Sequence, residues 1–258
     1  MYSFENIVVP PMFERAAGKK GAKRNLKIGG NRSIVIDSRT SLVYPFKMTS
    51  TASDQLTKGS ISLKGSATIV SEFFNYGIHS ILYQRGVYPP ESFTRKQEYG
   101  LTLLVSTDER VNQYLKDILS QIKIWLEKDK IRRLVVVLSN VETKEVLERW
   151  EFKIEIEKEV DSNGVGKNVE SSAKDIKLIK QEIRDVIRQI TASVTFLPLL
   201  DCICSFNILL YTKMDIECPS TWDESDPCFI TNSEEVKLRS FSTAIHRVEA
   251  AVSYKIDN

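Results

Sequence analysis

From Val70 onward the apolar residues Phe73, Phe74, Gly77, Ile78, Ile81 and Leu82 recur at intervals of three and four. That period gathers them on one face of an α-helix, and Gly86, which adopts the left-handed conformation without steric cost, marks its end. Pro89 and Pro90 block continuation, and Phe93 to Val105 reads as a strand, a turn at Glu98-Tyr99-Gly100, and a second strand. A second helical period runs through Val111, Tyr114, Leu115, Ile118, Leu119, Ile122, Trp125 and Leu126, with Ser106 and Glu109 spaced as a capping box at its start. Leu134 to Leu138 is a β-branched-rich run. Trp150, Phe152, Ile154 and Ile156 then alternate with Glu151, Lys153, Glu155 and Glu157, the pattern of an antiparallel hairpin with one face in water.

Residues 159 to 171 are polar and glycine-bearing and read as a loop, after which Ile176, Ile179, Ile183, Val186, Ile187 and Ile190 predict a third helix that Pro198 bars from continuing. Cys204, Phe206, Ile208 and Leu210 alternate as a strand. Met214 to Phe229 is turn-rich, and strand alternation returns between Val236 and Ile256. An irregular connection of that length inside a compact domain points to a functional or a mobile segment.

The first 47 residues carry no sustained period; apolar scraps, Ile7-Val8-Val9-Pro10-Pro11 and Leu42-Val43-Tyr44-Pro45-Phe46, flank a basic stretch at Lys19-Lys20-Gly21-Ala22-Lys23-Arg24. Residues 1–58 therefore read as a basic, disordered extension with Met48 as an alternative start, and the ordered domain as residues 59–258. The net charge of +2 hides an asymmetry, because residues 1–47 carry nine Lys/Arg against three Asp/Glu. The body is thus weakly acidic, which argues against a nucleic-acid groove. With 258 residues, 42% of them hydrophobic, the chain has enough apolar mass to bury a core without disulfides or metals.

Chemistry is sparse. Cys202, Cys204, Cys218 and Cys228 form no C-x-x-C pair, and His79 and His246 are the only histidines, so zinc spacing is missing. There is no glycine-rich phosphate loop and no nucleophile signature, and Glu234-Glu235, Asp223, Glu224 and Asp226 read as solvated surface. No catalytic residue, cofactor or metal ligand is assigned. Without an apolar run near eighteen residues or a signal peptide, no membrane partner is expected, and the compartment is reducing.

Several blocks carry a family resemblance: Ser62-Leu63-Lys64-Gly65-Ser66, Glu72-Phe73-Phe74, Ser80 to Pro89, Tyr99-Gly100-Leu101, Glu148-Arg149-Trp150, Ile187-Arg188-Gln189-Ile190-Thr191, Val194 to Pro198, and Leu238-Arg239-Ser240-Phe241 with His246. In this order they resemble the HORMA-domain family, in its mitotic-arrest-deficient-two spindle-checkpoint branch, over residues 59–258. The resemblance implies an α+β fold of three helices packed on a mainly antiparallel sheet. It implies open and closed topologies that differ in where the C-terminal strands pair. In the closed form a mobile safety belt, residues 214–258, wraps a short peptide that adds as a strand. Belt residues singled out on this basis are Trp222, Phe229, Leu238, Phe241, His246, Val252 and Tyr254.

The same resemblance implies an asymmetric dimer of an open and a closed copy through Arg188, Gln189, Thr195 and Phe196; taken alone, Arg188 reads as a solvated helix face and Phe196 as a core aromatic. Leu63 and Val248 lie in segments that repack when terminal strands move and are expected to set the conformational balance. The implied partners are the anaphase-promoting-complex activator, the coiled-coil kinetochore receptor, and a comet adaptor with an AAA+ remodelling ATPase, in the nucleus, at kinetochores and in the cytoplasm. A translesion-polymerase subunit of the same fold and a Cys/His hydrolase are the alternatives. Arg32 to Ile36 and Arg39 to Pro45, basic residues followed by β-formers, suggest a tethered pseudo-ligand within the extension.

Overall fold

The computed structural model describes residues 5–8, 60–160, 166–168, 171–213, 216, 218–219 and 222–256. Three α-helices are present there: α1 (Leu63–Gln84), α2 (Glu109–Glu127) and α3 (Ile176–Ala192). The strands are β1 (Glu5–Val8), β2 (Ile61–Ser62), β3 (Phe93–Glu98), β4 (Leu101–Ser106), β5 (Ile131–Asn140), β6 (Val146–Ile156), β7 (Lys158–Val160), β8 (Gly166–Asn168), β9 (Ser171–Ser172), β10 (Cys204–Thr212), β11 (Asp223–Glu224), β12 (Ser233–Ser242) and β13 (His246–Lys255). Seven of them form the main sheet in the order β11-β1-β10-β5-β6-β13-β12, with every neighbouring pair antiparallel.

Helix α1 is the hub. Phe73, Phe74, Ile78, Ile81 and Leu82 are wholly buried, as a helix enclosed by a sheet and two other helices requires. Phe73 stands edge-on to Phe152 of β6 at 5.6 Å and to Phe241 of β12 at 4.7 Å, tying helix to sheet. The helix starts at Leu63, a turn and more before the apolar period becomes visible, because Ser62 caps it by accepting the Gly65 N–H at 3.1 Å. Gly86 takes φ +62° just past its end, as the sequence predicts.

The β3–β4 hairpin turns on Tyr99 and Gly100, both at positive φ. The capping box expected at Ser106 and Glu109 does not form. Asp108 caps α2 by accepting the Arg110 and Val111 N–H groups, while Ser106 ends β4 and its Oγ accepts the Asp108 N–H at 3.1 Å. A carboxylate placed directly before the first turn displaces the weaker hydroxyl cap.

Three further expectations need correction. The segment read as a loop between residues 159 and 171 contains β7 paired with β8, and β9 pairs with β2. The single wet face of β6 holds only beyond Trp150, since Glu148, Arg149 and Trp150 are all buried, on both sides of the sheet. The extension, read as disordered throughout, contributes β1 at Glu5–Val8 to the main sheet. Met48, Arg32 to Ile36 and Arg39 to Pro45 lie outside the described residues.

Candidate functional site: a strand-pairing edge and its belt

Strand β10 has two buried faces. Phe206, Ile208 and Leu210 join the helical core, while Leu209 and Tyr211 join Val135 and Val137 of β5 in a second cluster against which Val146 and Cys228 pack. One edge of β10 pairs with β5. Along the other edge runs β1, with Glu5 opposite Thr212, Asn6 opposite Tyr211, Ile7 opposite Leu210 and Val8 opposite Leu209. The far side of β1 is covered by β11, with Ile7 opposite Glu224 and Val8 opposite Asp223. An extended segment is therefore enclosed between the body of the domain and the C-terminal connection, the wrapped arrangement that the resemblance associates with a closed form.

Arg149 fastens that connection over the sheet. Its Nε donates to the Pro227 carbonyl at 3.2 Å, one terminal nitrogen to the Tyr211 hydroxyl at 2.9 Å, and the other to the Glu151 carboxylate at 2.7 Å. The guanidinium also stacks over the Phe229 ring at 5.0 Å and the Tyr211 ring at 5.8 Å. One planar cation thus links β6, β10 and the belt, a use that depends on guanidinium geometry. Trp222 meets Trp125 of α2 edge-on at 5.4 Å, and Lys213, where the connection begins, pairs with Asp129 at 2.7 Å.

The rest of the C-terminal segment is seated on the opposite edge of the sheet, where β13 pairs with β6 from His246 against Ile156 to Tyr254 against Glu148. Phe241, Val248 and Val252 are buried, Leu238 packs half-buried at the margin of the core, and the half-buried Tyr254 donates its hydroxyl to Glu234 at 2.7 Å. Phe229 is 71% exposed and held chiefly by Arg149. Helix α3 and the residues that lead into it grip this hairpin: Lys174, just before the helix, bridges Glu182 at 2.7 Å and the Ser242 carbonyl at 2.8 Å, Glu182 accepts the Ser242 N–H, and Asp185 pairs with Arg239. Leu63 is half-buried at the first position of α1.

Of the four residues assigned to a dimer, Arg188 and Thr195 are exposed, and Phe196, which its residue type alone would place in the core, is 44% exposed next to exposed Val194 and Leu199. Gln189 is engaged within the chain, its carbonyl oxygen accepting the Arg239 N–H across from α3 to β12.

Both histidines are buried. His79 Nδ1 accepts the Ser106 N–H at 3.3 Å, and burial, with Lys96 repelling the charged form, lowers its pKa from 6.5 to about 4. His246 Nδ1 meets Ser66 Oγ at 2.6 Å, the same Oγ meets Thr243 Oγ1, and Nε2 faces the Leu126 carbonyl at 3.3 Å; burial lowers this pKa too, against the opposing pull of Leu126 and Asp129. A histidine held neutral in the fold contributes stability that is complete above its unfolded pKa and is lost as pH falls toward its folded one. The melting temperature should therefore be level above about pH 6.5 and decline toward pH 4, His79 contributing about 3 kcal/mol of the loss. Thermal scans across that range check this, and His79→Gln should flatten the slope; an unchanged slope would count against it.

A family model described as the HORMA domain matches residues 66–246. The chain belongs to the HORMA-domain family. Within it, the MAD2A spindle assembly checkpoint protein of Homo sapiens is 57% identical over 196 residues, 76% of this chain and 93% of that protein. The MAD2 checkpoint component of Saccharomyces cerevisiae is 42% identical over 198 residues, 76% of this chain and 98% of its own length. One chain in the crystal structure of the mitotic checkpoint complex superposes with TM-score 0.67 at 43% identity, covering 74% of this chain and all but 1% of that one. Caenorhabditis elegans HTP-2 bound to a HIM-3 closure motif, 14% identical with TM-score 0.62 and covering 80% of this chain and 97% of its own, shares the fold. This HORMA protein is thus a spindle-checkpoint member of its family, and its α+β architecture is the one the sequence predicts. No helix among the described residues is long and apolar enough to cross a membrane.

Sequence reasoning passed over Arg149 and Tyr211, the two side chains that join the belt to the sheet. No spacing marks that pair, whereas for the neighbouring Glu148 a signal was present. If Trp150 faces inward in β6, Glu148 must as well, and a charge at an inward position demands a buried partner, which is Arg85.

Proposed function

We propose that this HORMA protein works by capture rather than catalysis, pairing an extended peptide along the edge of β10 opposite β5 and closing residues 214–258 over it. The enclosure of a strand between β10 and β11 is the observation that carries this reading. Main-chain bonds along the edge supply affinity, and the belt slows escape. The ligands would be segments of the anaphase-promoting-complex activator and of the coiled-coil kinetochore receptor, at kinetochores and in the nucleus and cytoplasm. A comet adaptor and an AAA+ ATPase would reopen the belt. Arg188, exposed on α3, and Thr195 and Phe196, exposed just beyond its end, would recruit an open copy, with Gln189 linking that surface to β12. Leu63 and Val248 would set the balance between forms.

Against the hydrolase alternative, both histidines spend ring nitrogens on Ser106, Ser66 and Leu126, and burial with the neighbouring Cys202 pushes the Cys204 thiol up, away from the thiolate a nucleophile needs.

The test is ion-exchange and size-exclusion chromatography with and without a checkpoint-receptor peptide, followed by challenge with excess unlabelled peptide. Capture should yield one peptide-locked form with exchange over hours. Arg149→Ala, which removes the belt's cation contacts, should speed dissociation by about tenfold or more. Arg188→Ala should abolish self-association and leave peptide capture intact. Fast exchange of the loaded peptide, or no peptide held through chromatography either by the full chain or by a chain begun at Met12, which lacks β1, would sink the reading.

A further inference from the structure

The slot described above is filled by the chain's own beginning. Strand β1 is paired on both sides, to β10 and to β11, so it sits as an interior strand although it comes from the far N-terminus. Its local sequence suits the position: Ile7 and Val8 are β-formers, and the sequence beyond them soon reaches Pro10-Pro11, residue types that cannot donate to a ladder. Residues 9–59, between Val8 and Ser60, have a contour length of up to about 170 Å, so covalent connection places no obstacle to this placement. The segment used is not either of those the basic-plus-apolar pattern suggested at Arg32 to Ile36 and Arg39 to Pro45.

We propose that Glu5–Val8 is an intramolecular ligand, holding the domain in a self-closed state in which a partner peptide must displace it before being captured. The inference rests on the capture reading and adds its regulation. A tethered strand competes at an effective concentration that no dilution lowers, at most about millimolar for a chain of this length. Every partner peptide therefore meets an occupied slot, and its apparent affinity falls by the fraction of molecules in which the slot is free.

The test compares three proteins: the full chain, the chain begun at Met12, and the full chain with Asn6→Pro and Ile7→Pro. Successive N–H groups along a strand point to opposite neighbours, so the adjacent prolines remove a donor toward β10 and one toward β11 without deleting the segment. The probes are a labelled peptide of residues 1–11 and a labelled checkpoint-receptor peptide. The residue 1–11 peptide should bind the two altered proteins and not the full chain, and the receptor peptide should load onto them at least about tenfold faster than onto the full chain.

Binding of the residue 1–11 peptide to none of the three, or equally to all, would overturn the proposal. If the receptor peptide is still captured in that case, the capture reading survives alone; if neither peptide is held by any protein, the capture reading has failed. A full chain that dimerises with rising concentration while the two altered proteins stay monomeric would show the strand exchanged between copies and overturn the intramolecular form. Circular dichroism melts of all three establish that the altered proteins are folded.

Discussion

Glu148→Leu is expected to lower the melting temperature by about 6–20 °C. Glu148 and Arg85 form an ion pair whose side chains are 1% and 3% exposed. The carboxylate accepts Arg85 Nε at 2.7 Å through one oxygen and Trp150 Nε1 at 3.0 Å through the other, while Arg85 also donates to the Pro198 carbonyl. With the carboxylate gone, a guanidinium is left inside the protein without its counter-charge, which typically costs about 3–5 kcal/mol. A domain of this size loses about 2–4 °C per kcal/mol. The double variant Arg85→Met with Glu148→Leu should recover most of the loss, because the pair's own net contribution is small once both charges are removed. Differential scanning calorimetry of the three proteins decides it. A double variant no more stable than Glu148→Leu would mean that the loss comes from packing around Trp150 rather than from the stranded charge.

Phe241→Ala should cost about 3–5 kcal/mol as well, yet its effect falls on one topology. Phe241 is 2% exposed and packs against Phe73 at 4.7 Å, and it belongs to β12, outermost on the side of the sheet where β13 lies against β6. If the C-terminal strands pair elsewhere in an open form, the Phe241 contact is specific to the arrangement described here, and its loss shifts the balance by the same free energy. About 4 kcal/mol is close to a thousandfold change in a two-state ratio, enough to exchange the major and minor chromatographic forms. Phe152→Ala provides the contrast. Phe152 is equally buried but lies in β6, an interior strand that precedes the C-terminal segment and pairs with β5, so its removal should lower stability without favouring either form. Equal elution profiles for the two variants would refute this distinction.

Periodic elements were legible because burial imposes a period: α1, α2, α3, the β5–β6 hairpin and β10 follow from apolar spacing. What spacing could not supply were contacts made by short or polar segments. The Asp108 cap was hidden behind an equally plausible Ser106 pattern. Strand β1 is four residues long, and nothing in Glu5-Asn6-Ile7-Val8 distinguishes a partner for β10 from any other β-prone scrap. The Arg149 stack joins residues whose closeness depends on the path of the belt, and that path has no period to read. The belt residues carried over from the family resemblance are spread over two different places: Trp222 and Phe229 lie on the crossing segment, and Phe241, His246, Val252 and Tyr254 lie in the hairpin on the far edge.

The ends of the main sheet carry a consequence for handling the protein in solution. One end is β11, two exposed acidic residues, Asp223 and Glu224; the other is β12, whose exposed positions include Glu234, Glu235, Lys237 and Arg239. Charged edges of this kind repel a second sheet that would otherwise add to them. Between those guards lies β10, whose sequence Phe206 to Tyr211 is apolar apart from Asn207 and which is bare whenever the belt has lifted and no strand has yet paired. The species prone to clumping is then neither resting form but the molecule in passage between them, so the frequency of opening, more than the depth of either energy well, governs how long a concentrated sample stays clear.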